Sequence, residues 1–115
     1  MIELSEIKEN VTWQKAMDYA GELGEEWELP ELWELALMHK AKTLGHPLFQ
    51  DMTGSFFSSS TYVGNTNGAW YVNFYNGYVG HLNEMGSLNA RCMRVRPGDL
   101  ENLVTWVREK SKVKQ

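Results

Sequence analysis

The sequence predicts an α+β domain. Three observations carry this: two segments of helical period in the first half, a series of short strand-like segments after them, and a last helical segment. The chain has 115 residues, one domain's worth, enough to bury a core without disulfide staples.

Taken in order, "TWQKAMDYAGELG" (12–24) reads as an amphipathic helix. Trp13, Ala16, Met17 and Ala20 recur at i, i+3, i+4 and i+7, Thr12 is placed to cap the start and Gly24 to end it. "ELPELWELALMHKAKTLG" (28–45) reads as a second helix with Pro30 near its start. Leu32, Leu35, Ala36 and His39 share one face, and Gly45 and Pro47 stop it. Residues 45–68 read as largely irregular, with a short strand inside "SFFSSSTY" anchored by Phe57.

"AWYVNFYNGYVGHLN" (69–83) reads as a hairpin closed by Asn76-Gly77, a type I′ signal. A two-residue turn there pairs Tyr75 with Tyr78, Phe74 with Val79, Asn73 with Gly80, Val72 with His81 and Tyr71 with Leu82. Alternation then puts Trp70, Val72, Phe74, Val79 and His81 on one face. Tyr71, Asn73, Tyr75, Tyr78 and Leu82 fall on the other. "ARCMRVR" (90–96) reads as a further strand, and "DLENLVTWVREKSKVK" as a helix with Asp99 as its N-cap. Leu100, Leu103, Val104 and Val107 make its apolar stripe, and its basic end suits the helix dipole.

The net charge of −4 is uneven: residues 1–51 sum to −7, residues 52–90 to −1 and residues 91–115 to +4. Overall acidity argues against direct nucleic-acid binding, which needs basic surface. No run approaches the roughly 18 apolar residues of a membrane span. The single cysteine, Cys92, excludes an internal disulfide and a cysteine-based metal site, and suits a reducing compartment. The start of the chain has no basic and apolar leader pattern, so the expected location is cytoplasmic.

Catalytic signatures are missing. His39, His46 and His81 have no motif partner, and Ser58, Ser59 and Ser60 lie in no nucleophile motif. Cys92 reads as a small buried hydrophobe. No glycine-rich phosphate loop occurs, so no cofactor is expected, and no ligand spacing suggests a metal. Glu22, Glu25, Glu26, Glu28, Glu31 and Glu34 form an acidic cluster. It reads as solvated surface, with docking of a basic partner as the sharper alternative.

What stands out is composition. Residues 54–90 hold eight of the fourteen aromatics, four of the five tyrosines, six glycines and six asparagines. Tyr, Asn, Ser and Gly supply rigid amphipathic anchors and adaptable hydrogen bonding, as in antibody paratopes. The competing reading is that asparagines and glycines make turns while tyrosines cover a sheet.

The series "TWQKAMDYAGELGEEWELP", "FFSSSTY", "AWYVNFYNGYVGHLN" and "RCMR" resembles the Legionella collagen-like protein C-terminal domain family, also called DUF1566, over about residues 11–97. The resemblance implies a C-type-lectin-like fold: two N-terminal helices packed on a small, mainly antiparallel sheet with long loops. The helix from Asp99 would be an addition, about 98–112. Family positions that repeat match Ala69, Trp70, Val72, Phe74, Gly77 and Val79, which assigns Trp70, Val72, Phe74 and Val79 to the core. Glu28 stands where the family has Arg, Phe57 where it has Trp and Ser60 where it has Thr. Glu31 replaces a Thr that would cap the second helix, at a cost of about 1 kcal/mol. Calcium-lectin signatures and the cysteine pair of the superfamily's oxidising enzyme do not occur, so neither chemistry carries over.

The expected function is a non-enzymatic, protein-binding module in a single domain. Its expected site is Tyr62, Asn65, Asn67, Tyr71, Asn73, Tyr75 and Tyr78. Three alternatives stand beside it. One is a phage-encoded inhibitor of a host defence protein, such as a CRISPR effector, docking through the acidic cluster. The others are a carbohydrate-binding lectin-like domain and an oligomeric accessory protein. Whether the last helix covers the tyrosine face decides where the site lies.

Overall fold

The structure, a computed structural model, describes residues 1–63, 68–83 and 85–113. Strands β1 (Glu3–Leu4) and β2 (Lys8–Thr12) lead into helix α1 (Trp13–Leu23). Strand β3 (Trp27–Glu28), helix α2 (Leu32–Thr43) and a 3-10 turn (Pro47–Phe49) follow. Then come β4 (Ser55–Tyr62), β5 (Gly68–Asn73), β6 (Val79–Asn83), β7 (Ser87–Ala90), β8 (Met93–Arg94) and helix α3 (Asp99–Val113). The fold is α+β, as expected. Five strands form one sheet in the order β2-β7-β4-β5-β6, and β1, β8 and β3 form a small second one. The β4–β7 pair is parallel and the other pairs are antiparallel.

Phe56 and Phe57 explain why the larger sheet needs cover on both faces. They are adjacent in β4, so they point to opposite faces, and both are fully buried. Phe57 packs with Ala16, Tyr19 and Ala20 of α1. Phe56 packs with Leu35, Met38 and Ala41 of α2 and with Phe49, Val72, Phe74 and Leu103. The two N-terminal helices therefore contribute to separate cores, one on each face of the sheet.

Helix α1 follows its sequence signals. Thr12 accepts the Lys15 N–H at 3.3 Å, and Gly24 ends the helix at φ 125°. Helix α2 begins later than expected, and its buried stripe is Leu35, Met38 and Ala41, whereas Ala36 is exposed and His39 half-buried. Glu31 stands in for the missing threonine as N-cap, in a reciprocal capping box with Glu34, and Ser60 adds a further acceptor. Glu34 accepts the Glu31 N–H at 2.8 Å, and Ser60 of β4 accepts the Leu32 N–H at 3.0 Å.

The strand expected over 90–96 is two strands in two sheets. The chain leaves the large sheet at Ala90 and joins the small one at Met93. Ser5 fixes the crossing: its hydroxyl accepts the Cys92 N–H at 2.8 Å and its own N–H donates to the Cys92 carbonyl at 2.9 Å. Asp99 is the first residue of α3 rather than the one before it, and its carboxylate accepts the Arg96 N–H at 2.9 Å. Leu100, Leu103, Trp106 and Val107 of α3 join the same apolar cluster as α2.

Candidate functional site

The hairpin forms, but in another register. Val72 pairs with Val79, Tyr71 with Gly80, Trp70 with His81, Ala69 with Leu82 and Gly68 with Asn83. A four-residue loop, Phe74 to Gly77, replaces the two-residue turn. The cause is Phe74. Its ring is buried against Phe56 at 5.3 Å between centroids, and its N–H donates to the Gly54 carbonyl at 2.8 Å. Held there, Phe74 cannot pair with Val79. Within this loop only Gly77 has a positive φ (77°), so the type I′ expectation is corrected.

The asparagines build this turn. Asn73 Oδ1 accepts the Tyr75 N–H at 2.8 Å, and Asn76 Oδ1 accepts the Tyr78 N–H at 2.9 Å. Asn73 is therefore a turn-forming residue, half-buried, and not a free contact. Asn65 and Asn67 lie outside the described residues.

The tyrosines do not share one face. Gly80 lies between Tyr71 and Tyr78. A Cβ there would sit 2.7 Å from the Tyr78 ring and 2.8 Å from the Tyr71 hydroxyl. The two rings, 6.3 Å apart, close over the bare glycine. Tyr71 is half-buried, while Tyr78 is 60% and Tyr75 75% exposed. Tyr62 is the last residue of β4, not part of a loop, and pairs with Gly68, which places it on the opposite face.

On that opposite face Tyr62, Trp70 and His81 meet. Tyr62 stacks on His81 with centroids 3.9 Å apart and planes 8° apart. Trp70 stands edge-on to both, at 5.4 Å from Tyr62 and 5.3 Å from His81. Their alternation is as expected, but the assignment to the core is corrected. Trp70 is half-buried, Val79 is 41% exposed and His81 is exposed. None of Tyr62, Trp70 and His81 belongs to either core cluster. The stretch packed with α2 is Phe56, Val72 and Phe74, and the sheet corner extends past it. Sequence parity gave the face correctly, and the extent of helix cover is what parity does not encode. Trp70 and His81 thus join the candidate site that sequence reasoning placed elsewhere.

The acidic cluster is dispersed in role. Glu34 is buried, burial pushes its carboxyl above the usual range, and it caps α2, so it is no part of a docking surface. Glu26 pairs with Arg94 at 3.3 Å, and Glu31 accepts the Trp33 indole N–H at 3.2 Å. Glu22, Glu25 and Glu28 are exposed.

The remaining reactive groups are engaged or covered. Cys92 is buried, and burial pushes its thiol up to about 11. Ser58 donates to the Trp70 carbonyl at 2.8 Å and accepts the Ser60 N–H at 3.1 Å. His46 Nδ1 accepts the Leu48 N–H at 3.1 Å, at the start of the 3-10 turn. Among the described residues no three His, Cys, Asp or Glu side chains gather closely enough to hold a metal ion. No described helix is long and apolar enough to cross a membrane. A groove of about 720 Å³ between the 3-10 turn and α3 is lined by His46, Leu48, Phe49, Leu103 and Trp106 among others. It contains none of the residues expected from the sequence to form the site.

These features define a small α+β domain with helices on both faces of a mixed sheet and an aromatic corner on its last hairpin. Residues 3–94 match the family described as the Lcl C-terminal domain, and the chain belongs to that family. The matched segment includes β1 and β2 as well as the hairpin, and α3 lies beyond it. Comparison with curated proteins gives no match.

Proposed function

We propose that this chain is a non-enzymatic, protein-binding module of C-type-lectin-like type. Its binding surface is the uncharged β4–β5–β6 hairpins, from the tip at Phe74–Gly77 to the Tyr62–Trp70–His81 stack toward their other end. The observation that carries the reading is the exposure of the aromatics there. Tyr75 and Tyr78 stand out at the hairpin tip, and Tyr62, Trp70 and His81 form a partly open stack at the corner. Large rigid aromatics at a surface supply contact area at low conformational cost. Helix α3 packs its apolar stripe into the α2 cluster, which leaves the tip tyrosines exposed. The burial of Cys92 and the engagement of Ser58 support the non-enzymatic part.

Affinity capture with the parent chain and with a Trp70→Ala/Tyr78→Ala variant tests the reading. The expected result is a protein retained by the parent and lost by the variant, while circular dichroism shows both folded. Equal retention by both overturns the site.

A further inference from the structure

The open side of β6 is the feature that the aromatic surface alone does not account for. β6 ends the five-stranded sheet, and β2 ends it on the other side. The two edges are built differently. β2 carries Lys8 and Glu9, Asn10 has a positive φ of 53°, and the ladder slips between Lys8 and Val11. Charge and irregularity of this kind keep an edge from pairing with another chain. β6 has none of these devices. From Gly77 to Asn83 there is no charged residue and no proline, and the ladder from Gly68–Asn83 to Val72–Val79 is continuous. Among the described residues no strand pairs with its outer side.

We propose that β6 takes up an extended segment of a partner protein as a sixth strand. This rests on the reading of the corner as a partner surface and states how the partner binds. A sheet edge offers N–H and C=O groups at strand spacing, and an extended backbone is the group that pairs with all of them. Side-chain selection comes from the two faces. On one face the incoming strand lies beside Val79 and His81, backed by Trp70 and Tyr62; on the other it lies beside Leu82 and Tyr78, whose ring lies over Gly80. Alternating β-branched or aromatic residues fit both.

Charge selects the occupant. Residues 43–90 contain no lysine or arginine, in a chain of net charge −4; Asp51 is paired with Arg91 at 2.7 Å, which leaves Glu84, next after β6 in the sequence, as the acid of this stretch. A segment with basic ends is attracted to this region, and an acidic one is repelled. A second copy of the chain brings another −4, so it is disfavoured on the same ground.

The probe is a set of three synthetic peptides on one Val/Thr/Tyr alternating strand. The first has lysines at both ends, the second glutamates, and the third lysines with N-methylated alternate amides. Hydrogen exchange of residues 79–83 is read by mass spectrometry with the full chain. The lysine-ended peptide is expected to slow exchange there at least roughly tenfold, the glutamate-ended one far less and the N-methylated one not at all. No slowing by any peptide overturns strand addition. Equal slowing by the N-methylated peptide also overturns it and leaves the aromatic surface standing, because binding then runs through side chains. Slowing that appears without peptide and grows with protein concentration, alongside a dimer in sedimentation, makes a second copy the occupant and overturns the partner segment. Failure of the aromatic surface itself shows separately, as capture insensitive to Trp70→Ala/Tyr78→Ala.

Discussion

Replacing Gly77 by alanine tests the hairpin tip that presents the tyrosines. Gly77 lies at φ 77°, and a Cβ built on it would sit 2.7 Å from His39 Cε1 and 3.1 Å from Nδ1. The left-handed backbone costs an L-residue about 1–2 kcal/mol. Overpacking adds about 1–3 kcal/mol, because the His39 ring is itself wedged edge-on against Phe74 at 5.6 Å. The expected total is about 2–5 kcal/mol. Gly45→Ala is the control: its φ is 92°, but nothing lies within 4 Å of its Cβ position, so it pays only the backbone cost. Urea unfolding followed by tryptophan fluorescence measures both, with the slope unchanged between variants. Adding His39→Ala to Gly77→Ala should remove part of the penalty. If the Gly77 and Gly45 variants agree within about 0.5 kcal/mol, His39 is not seated under the tip and the turn geometry is wrong.

Three further outcomes follow from the same structure. Burial raises the Glu34 carboxyl above its ordinary pKa, so the stability tied to its proton is present at low pH and is lost as pH rises through the folded value. Glu34→Gln has no such loss. Its stability relative to the parent should improve as pH rises from the ordinary glutamate value through the folded one, and a flat difference across pH-resolved urea titrations refutes this. Phe57→Ala empties a fully buried site and should cost about 3–5 kcal/mol, whereas Tyr75→Ala should stay within about 1 kcal/mol; similar losses in both would place Tyr75 in the core. Cys92, buried and with its thiol pushed up to about 11, should react with an aromatic disulfide near neutral pH only as fast as the domain opens. Immediate reaction in native buffer would contradict its burial.

Much of this fold was readable because local signals and tertiary packing agree. Thr12 and Gly24 bracket α1 in sequence and do so in space. Disagreement begins where packing overrules a local signal. Asn76-Gly77 favours a two-residue turn, but burial of Phe74 draws the chain inward and lengthens the loop. β1, β3 and β8 have two residues each, too few to show any period, and they exist because one another's backbone groups are there to pair. The site was half legible. Alternation put Trp70 and His81 on the face opposite Tyr71, but it says nothing of whether a helix covers them. The asparagines of the tip read as contacts, and Asn73 and Asn76 proved to hold the turn that sets out Tyr75 and Tyr78. Glu34, counted as surface charge, caps α2 from a buried position, in a capping box with Glu31.

The most direct test of the account is hydrogen exchange across the whole chain, alone and with a protein that it captures. Protection should concentrate on residues 74–83, the hairpin tip and β6, with α3 unchanged. Protection confined to the groove between the 3-10 turn and α3, or to the acidic residues 22–31, would place the binding surface elsewhere and contradict it.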